Sequence, residues 1–110
     1  MKSLERLAIP TMEGLIFFEV NEIIHLEAQS NYTLIHFVNK TKMTVPKTLK
    51  EFEELLPEDI FFRVHHSHLI NLKFIKRYIK GDGGQIELKN GKYVDVARRK
   101  KEEFLKVIGN

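Results

Sequence analysis

Apolar residues along this chain fall in short runs separated every few positions by turn-forming residues, the rhythm of a β-rich domain. Leu7 to Thr11 is followed by Glu13-Gly14 and then by Leu15-Ile16-Phe17-Phe18-Glu19-Val20. Asn21-Glu22 breaks that run before Ile23-Ile24-His25-Leu26-Glu27, and Ala28-Gln29-Ser30-Asn31 forms a polar apex. From Tyr32 to Val38, alternation puts Tyr32, Leu34, His36 and Val38 on one face and Thr33, Ile35 and Phe37 on the other. Both faces carry apolar side chains, so a strand buried on both sides is predicted. Asn39-Lys40-Thr41 turns the chain into Lys42-Met43-Thr44-Val45, which completes a predicted meander.

After Pro46 the period changes. Thr48 with Glu51 three residues on is a capping box, and Leu49, Phe52, Leu55 and Leu56 recur at helical spacing. Pro57 closes this helix, which reads as a lid over the core; its outward Lys50, Glu51, Glu53 and Glu54 are mixed to acidic and would repel a polyanion. Phe61 to Val64 and Leu69 to Leu72 then read as two strands presenting an apex of His65, His66, Ser67 and His68. Asn71 within the second run reads as structural, its amide satisfying local backbone groups. A strand over Phe74 to Lys80 and a reversal at Gly81-Asp82-Gly83-Gly84 precede Gln85 to Lys89 and Lys92 to Val96. Between those runs Asn90-Gly91 predicts a two-residue hairpin with both turn residues at positive φ. The last element, Arg98 to Ile108, has Phe104, Leu105 and Ile108 on one stripe, with Gly109 placed to end the helix.

Composition narrows the class. With 110 residues, 43% hydrophobic and 30% charged, the chain supports one domain with a modest core. No apolar run approaches the roughly 20 residues of a spanning helix, and the N-terminus, with Glu5 and Pro10, does not read as a signal peptide. There is no cysteine, hence no disulfide framework or thiolate site. These features point to the cytoplasm. The net charge of +3 is modest, so the placement of charge matters more than its amount. Arg98, Arg99, Lys100 and Lys101 crowd the first turn of the last helix, where cations oppose the macrodipole. An anionic partner explains the arrangement, because cations and free backbone amides both attract phosphate. A solvated charge run balanced by Glu102 and Glu103 is the plainer explanation.

The run Phe62-Arg63-Val64-His65-His66-Ser67-His68-Leu69-Ile70-Asn71 resembles the central motif of LytTR DNA-binding domains, output modules of bacterial two-component response regulators. The likeness extends through Glu22 to Ala28, Asn31-Tyr32-Thr33, Lys47-Thr48-Leu49 and Val96-Ala97-Arg98-Arg99, from about Leu7 to Ile108. It implies a mainly β fold, an elongated arrangement of small antiparallel sheets with two short helices, forming a single domain over residues 1–110 with its core from about 7 to 108. It also implies double-stranded DNA as the partner, read through loops at paired promoter sites, with a homodimer on DNA. The receiver domain that normally precedes such a module is absent from this chain, which is therefore expected to be a fragment or a stand-alone regulator. The DNA-contacting places implied by position are Ser30-Asn31-Tyr32, His65-His66-Ser67 and Arg98 with Arg99, joined by Lys47, Lys100 and Lys101. Two departures stand out. His66 falls where Arg is frequent in the family, which implies a weaker, pH-dependent contact, and Ala97 falls where Ser is usual, which removes an N-cap.

Other chemistries fit less well. His65, His66 and His68, with His25 or His36, suggest zinc, but strict alternation puts His65 on the face opposite His66 and His68, and the loop holds no carboxylate. Ser67 lacks a nucleophile elbow, so no enzyme activity and no cofactor are expected. Single-stranded RNA binding, with Tyr32 stacking a base, and a protein-interaction module are the remaining alternatives.

Overall fold

A computed structural model describes residues 6–109, ten strands and two α-helices in three antiparallel sheets. Strands β1 (Arg6–Thr11) and β2 (Gly14–Glu19) form a separate hairpin. The central sheet holds β3 (Ile23–Gln29), β4 (Tyr32–Phe37), β5 (Lys42–Val45), β6 (Phe61–His65) and β7 (His68–Asn71), in the order β5-β4-β3-β7-β6. Strands β8 (Ile75–Ile79), β9 (Gln85–Leu88) and β10 (Tyr93–Asp95) make the third sheet. Helix α1 (Leu49–Leu55) lies between β5 and β6, and α2 (Lys101–Gly109) follows β10. The molecule is elongated, 44 × 33 × 24 Å. The predicted meander is thus limited to β3-β4-β5: the first hairpin stands apart, and β7 takes the other edge of β3.

The central sheet divides two apolar cores, as expected for a sheet buried on both faces. On one face Leu26, Ile35, Phe37 and Leu69 pack with Leu7 and Ile9 of β1 and with Leu49, Phe52 and Leu56 around α1. On the other, Ile24, Val64 and Ile70 pack with Ile86, Leu88 and Val94 of the third sheet and Phe104 of α2. The capping box forms as predicted: Thr48 Oγ1 accepts from the Glu51 amide at 3.2 Å, and the Glu51 carboxylate accepts from the Thr48 amide at 2.8 Å. Leu55 is exposed, however, as are Val107 and Ile108 on α2, so each helix buries a narrower stripe than its sequence suggests. Gly109 is the last described helical residue rather than a left-handed cap.

Turn chemistry departs from expectation at the third sheet's hairpin. Gly91 has φ 90°, and Asn90 is not among the positive-φ residues. The Gly91 amide donates to the Leu88 carbonyl (2.9 Å) and the Leu88 amide to the Lys92 carbonyl (2.8 Å). That pattern is a three-residue loop ending in a glycine bulge, rather than a two-residue turn with two left-handed residues. Asn71 is structural, as expected: fully buried, it donates from Nδ2 to the Ile23 carbonyl (2.9 Å) and accepts from the Lys73 amide (2.9 Å). It thereby ties the end of β7 to the start of β3.

Candidate nucleic-acid interface

Strand register decides which turns share an end of the molecule. Gln29 pairs with Tyr32, Thr33 with Val45, Glu27 with His68, and His65 with His68. The β3–β4 turn, the C-terminal end of β5 and the β6–β7 turn therefore lie side by side, and the Ala28 amide donates to the Ser67 carbonyl at 2.9 Å. The β3–β4 turn is tighter than the predicted apex, because β3 continues to Gln29 and only Ser30-Asn31 reverse the chain. Ser30 takes φ 60°, and Ser30, Asn31 and Tyr32 are all exposed. Lys47 sits just beyond β5 at the same end, its carbonyl accepting from Thr33 Oγ1 at 2.6 Å.

The β6–β7 turn is likewise reduced to His66-Ser67, with His65 and His68 as the last cross-strand pair. This overturns the expectation from strict alternation that His65 faces away from its neighbours: a register shift before His65 brings its ring against those of His66 (centroids 4.4 Å apart) and His68 (5.4 Å). The rings meet as stacked and tilted faces. Among the described residues no group of three or more His, Asp or Glu converges as a metal ion requires. His65 Nδ1 accepts from the Ser67 amide at 3.1 Å, which fixes a neutral imidazole protonated on Nε2. Its pKa is lowered, by burial first and then by His66, against the opposing pull of Asp95. His66 is the exposed member of the cluster.

Arg63 was invisible as a functional residue in sequence, yet it fixes this turn. Its guanidinium donates to the carbonyls of His65 and His66 and to Glu53 of α1 (2.8 Å). A lone polar residue in an apolar strand was the available signal, but its partners are set by the turn and by a helix elsewhere in the chain.

Behind the turn, the histidines continue as an array. His25 Nε2 lies 3.1 Å from His68 Nδ1, His25 stacks on His36 at 4.8 Å, and His36 Nε2 bonds Glu27 at 3.1 Å. His25 and His36, mentioned above as possible zinc partners, are buried in the sheet. Burial, followed by His36 and His68, pushes the His25 pKa down to about 3, and its Nδ1 is buried with no hydrogen-bond partner among the described residues.

The basic segment reaches the same end from the other side. The Ala97 amide donates to the Val64 carbonyl at 2.8 Å, stitching the chain beside β6. Ala97 provides no side-chain cap, and Arg98–Lys100 form a 3-10 turn ahead of α2, so the expected helix start shifts to Lys101. A shallow groove of about 430 Å³ runs between His65, the Gly81–Gly84 loop and Arg98. Arg98 and Arg99 are exposed, and Arg98 is 3.8 Å from the equally exposed Asp82, a contact of little energetic weight. Lys100 and Lys101 are half-buried. The Lys100 ammonium lies over the Phe62 ring and 3.7 Å from Glu103, and that of Lys101 donates to the Gly81 carbonyl at 3.3 Å. The structure brings every candidate segment to one end of the molecule, while these two lysines are partly engaged internally.

This architecture, with tight turns of a mainly β scaffold beside a cationic 3-10 turn, is that of a DNA-binding domain. Residues 13–109 match the LytTr DNA-binding domain family, to which the chain belongs. It is 26% identical over 105 residues to the sensory transduction protein LytT of Bacillus subtilis (strain 168). The match takes in 94% of this chain but 43% of that protein, so the chain spans less than half of its relative's length. Among solved structures it resembles the LytTr DNA-binding domain of a protein described as a methyl-accepting/DNA response regulator from Bacillus cereus. That comparison gives a TM-score of 0.81 and 28% identity, with full coverage of both chains.

Proposed function

We propose that this domain reads double-stranded DNA sequence-specifically through its loops, as the effector module of a bacterial transcriptional response regulator in the cytoplasm. The observation that carries the reading is the convergence of Ser30-Asn31-Tyr32, Lys47, His66-Ser67 and Arg98-Arg99 at one end of the molecule, on turns held by paired strands. Arg98 reads a guanine edge, because a guanidinium offers two donors in a fixed fork. Asn31, Ser30, Tyr32, Ser67 and His66 contact bases or phosphates. Arg99, with Lys47 and whatever fraction of Lys100 and Lys101 is released, neutralises phosphates. His65 supports the turn that displays His66. In a full-length regulator an N-terminal receiver domain supplies the signal, and homodimers occupy paired sites.

Selection of bound sequences from a random duplex pool, followed by salt titrations on duplex and single strand, tests this. Arg98→Ala should cost about 1–3 kcal/mol and relax preference at one position. Arg99→Ala should weaken all duplexes alike and reduce the salt slope by about one unit. Equal affinity for single strand and duplex, or an unchanged site preference in Arg98→Ala, would overturn the assignment.

A further inference from the structure

The end of the central sheet opposite those turns carries a second cationic site. A groove of about 290 Å³ lies between the β4–β5 turn and the β9–β10 hairpin, lined chiefly by Lys40, Lys42, Lys92, Asn90, His36 and Phe37. Five strand steps separate Tyr32 from Phe37, about 17 Å at the rise of an extended chain, so a duplex seated on the turn end does not fill this groove. All three lysines are exposed, and none has a carboxylate within 4.0 Å among the described residues. No acidic side chain lines the groove, and the nearby Glu27 is occupied by His36 at 3.1 Å. Lysines kept merely for solubility are normally interspersed with acids. Lys40 moreover holds φ 71°, a left-handed conformation that Gly or Asn adopts at lower cost, although Asn39 is its neighbour. The turn sets that conformation, since the Lys40 amide donates to the Phe37 carbonyl (3.1 Å) and the Phe37 amide to the Thr41 carbonyl (3.0 Å), the pattern seen at Gly91 but with a cation at the left-handed position. Asn90 accepts from the Lys92 amide through Oδ1 (3.0 Å), which leaves its Nδ2 donors for a ligand.

We infer that this groove is a second anion site, taking a phosphate group through the ammoniums of Lys40, Lys42 and Lys92 and the Asn90 amide. Three ammoniums and one amide match the oxygens of a multiply charged phosphate, whether of a small phosphorylated molecule or of a second stretch of nucleic acid backbone.

The test is a two-dimensional amide NMR titration with sodium pyrophosphate at constant ionic strength. Amides of 40–42 and 90–92 should shift saturably, with a binding curve of their own, separate from any shifts at the phosphate-contacting turns. The triple variant Lys40→Gln, Lys42→Gln, Lys92→Gln alters exposed positions alone, and should bind roughly tenfold or more weakly. A second arm adds a duplex of random sequence to protein carrying Arg98→Ala and Arg99→Ala. Shifts at 40–42 and 90–92 there identify nucleic acid backbone as the source, and shifts with pyrophosphate alone identify a small phosphorylated ligand. The inference fails if millimolar pyrophosphate moves none of the groove amides, or moves them equally in the triple variant. Neither result bears on DNA binding at the turns.

Discussion

Acid should destabilise this domain well above the range in which its carboxylates titrate, and His25 should be the main cause. In the folded chain its pKa is about 3; in the unfolded chain it returns to 6.5. The unfolded state therefore takes up a proton that the folded state refuses. Stability is full above about pH 6.5 and falls as pH drops toward 3. At pH 5, one and a half units below the unfolded value, the loss from this residue alone is about 2 kcal/mol at 1.36 kcal/mol per unit. His25 is 2% exposed, so solvent screening does not reduce the effect. The informative variant is His25→Phe, which retains a ring to stack on His36 and removes the titration. It gives up the 3.1 Å contact to His68 and also eliminates the buried, unpartnered Nδ1. At pH 7.5 the two proteins should agree within about 1.5 kcal/mol in urea denaturation. Between pH 7.5 and 5.0 the wild type should lose about 2 kcal/mol more than the variant. His65 and His68, whose pKa values are also lowered, chiefly by burial, are present in both proteins and largely cancel from the comparison. Equal losses in the two proteins would refute the account of His25 as a buried neutral imidazole.

Three further outcomes follow from named contacts. Asn71→Ala leaves the Ile23 carbonyl and the Lys73 amide without their partner, and should cost about 2–4 kcal/mol in urea; a loss below about 0.5 kcal/mol would exclude its bridging role. Thr48→Ala removes the cap of α1 and should lower stability by about 1 kcal/mol, with DNA affinity unchanged because the cap lies outside the proposed contacts; calorimetry and a binding titration on the same sample check both. Gly83→Ala drives a methyl group into the Val96 carbonyl, so the loop beside Arg98 must move. Lower stability and altered Arg98 amide shifts are expected, and an unperturbed spectrum would contradict the close packing seen here.

Local chemistry was legible in the sequence, and long-range chemistry was not. The Thr48–Glu51 box and the structural Asn71 were readable because each depends on a hydrogen bond within a few residues, although Asn71's second partner, Ile23, was not. The Asn90-Gly91 hairpin was located correctly, but the choice between a two-residue turn and a glycine bulge depends on how β9 and β10 pair. Alternation misplaced His65 because a register shift in β6 breaks the period of two. Leu55 and Ile108 satisfied a helical stripe, yet both are exposed, because spacing along a helix does not say how much of its face another element covers. The histidine apex stood out by pattern and the Arg98–Lys101 cluster by charge, and family likeness tied them to Ser30-Asn31-Tyr32 and Lys47; that these segments share one end emerges only from strand register and packing, as does the pinning of the histidine turn by Arg63 and Glu53.

The bond from Asn71 to Ile23 spans 48 positions, and that between His25 and His68 spans 43. Such separations have a kinetic consequence. Hairpin β3–β4 can form as soon as its own residues are available, but β3 remains an edge strand until β7 arrives. Closing that distance carries a chain-entropy cost before any packing offsets it, which places this domain among slow folders for its size. During synthesis, β3 emerges from the ribosome with its edge free until the chain has grown past Asn71, and its apolar Ile24 stays uncovered longer still, until Ile86, Leu88, Val94 and Phe104 follow. Over that interval the nascent chain is open to pairing with other strands, and a chaperone that binds extended apolar segments would find its substrate there.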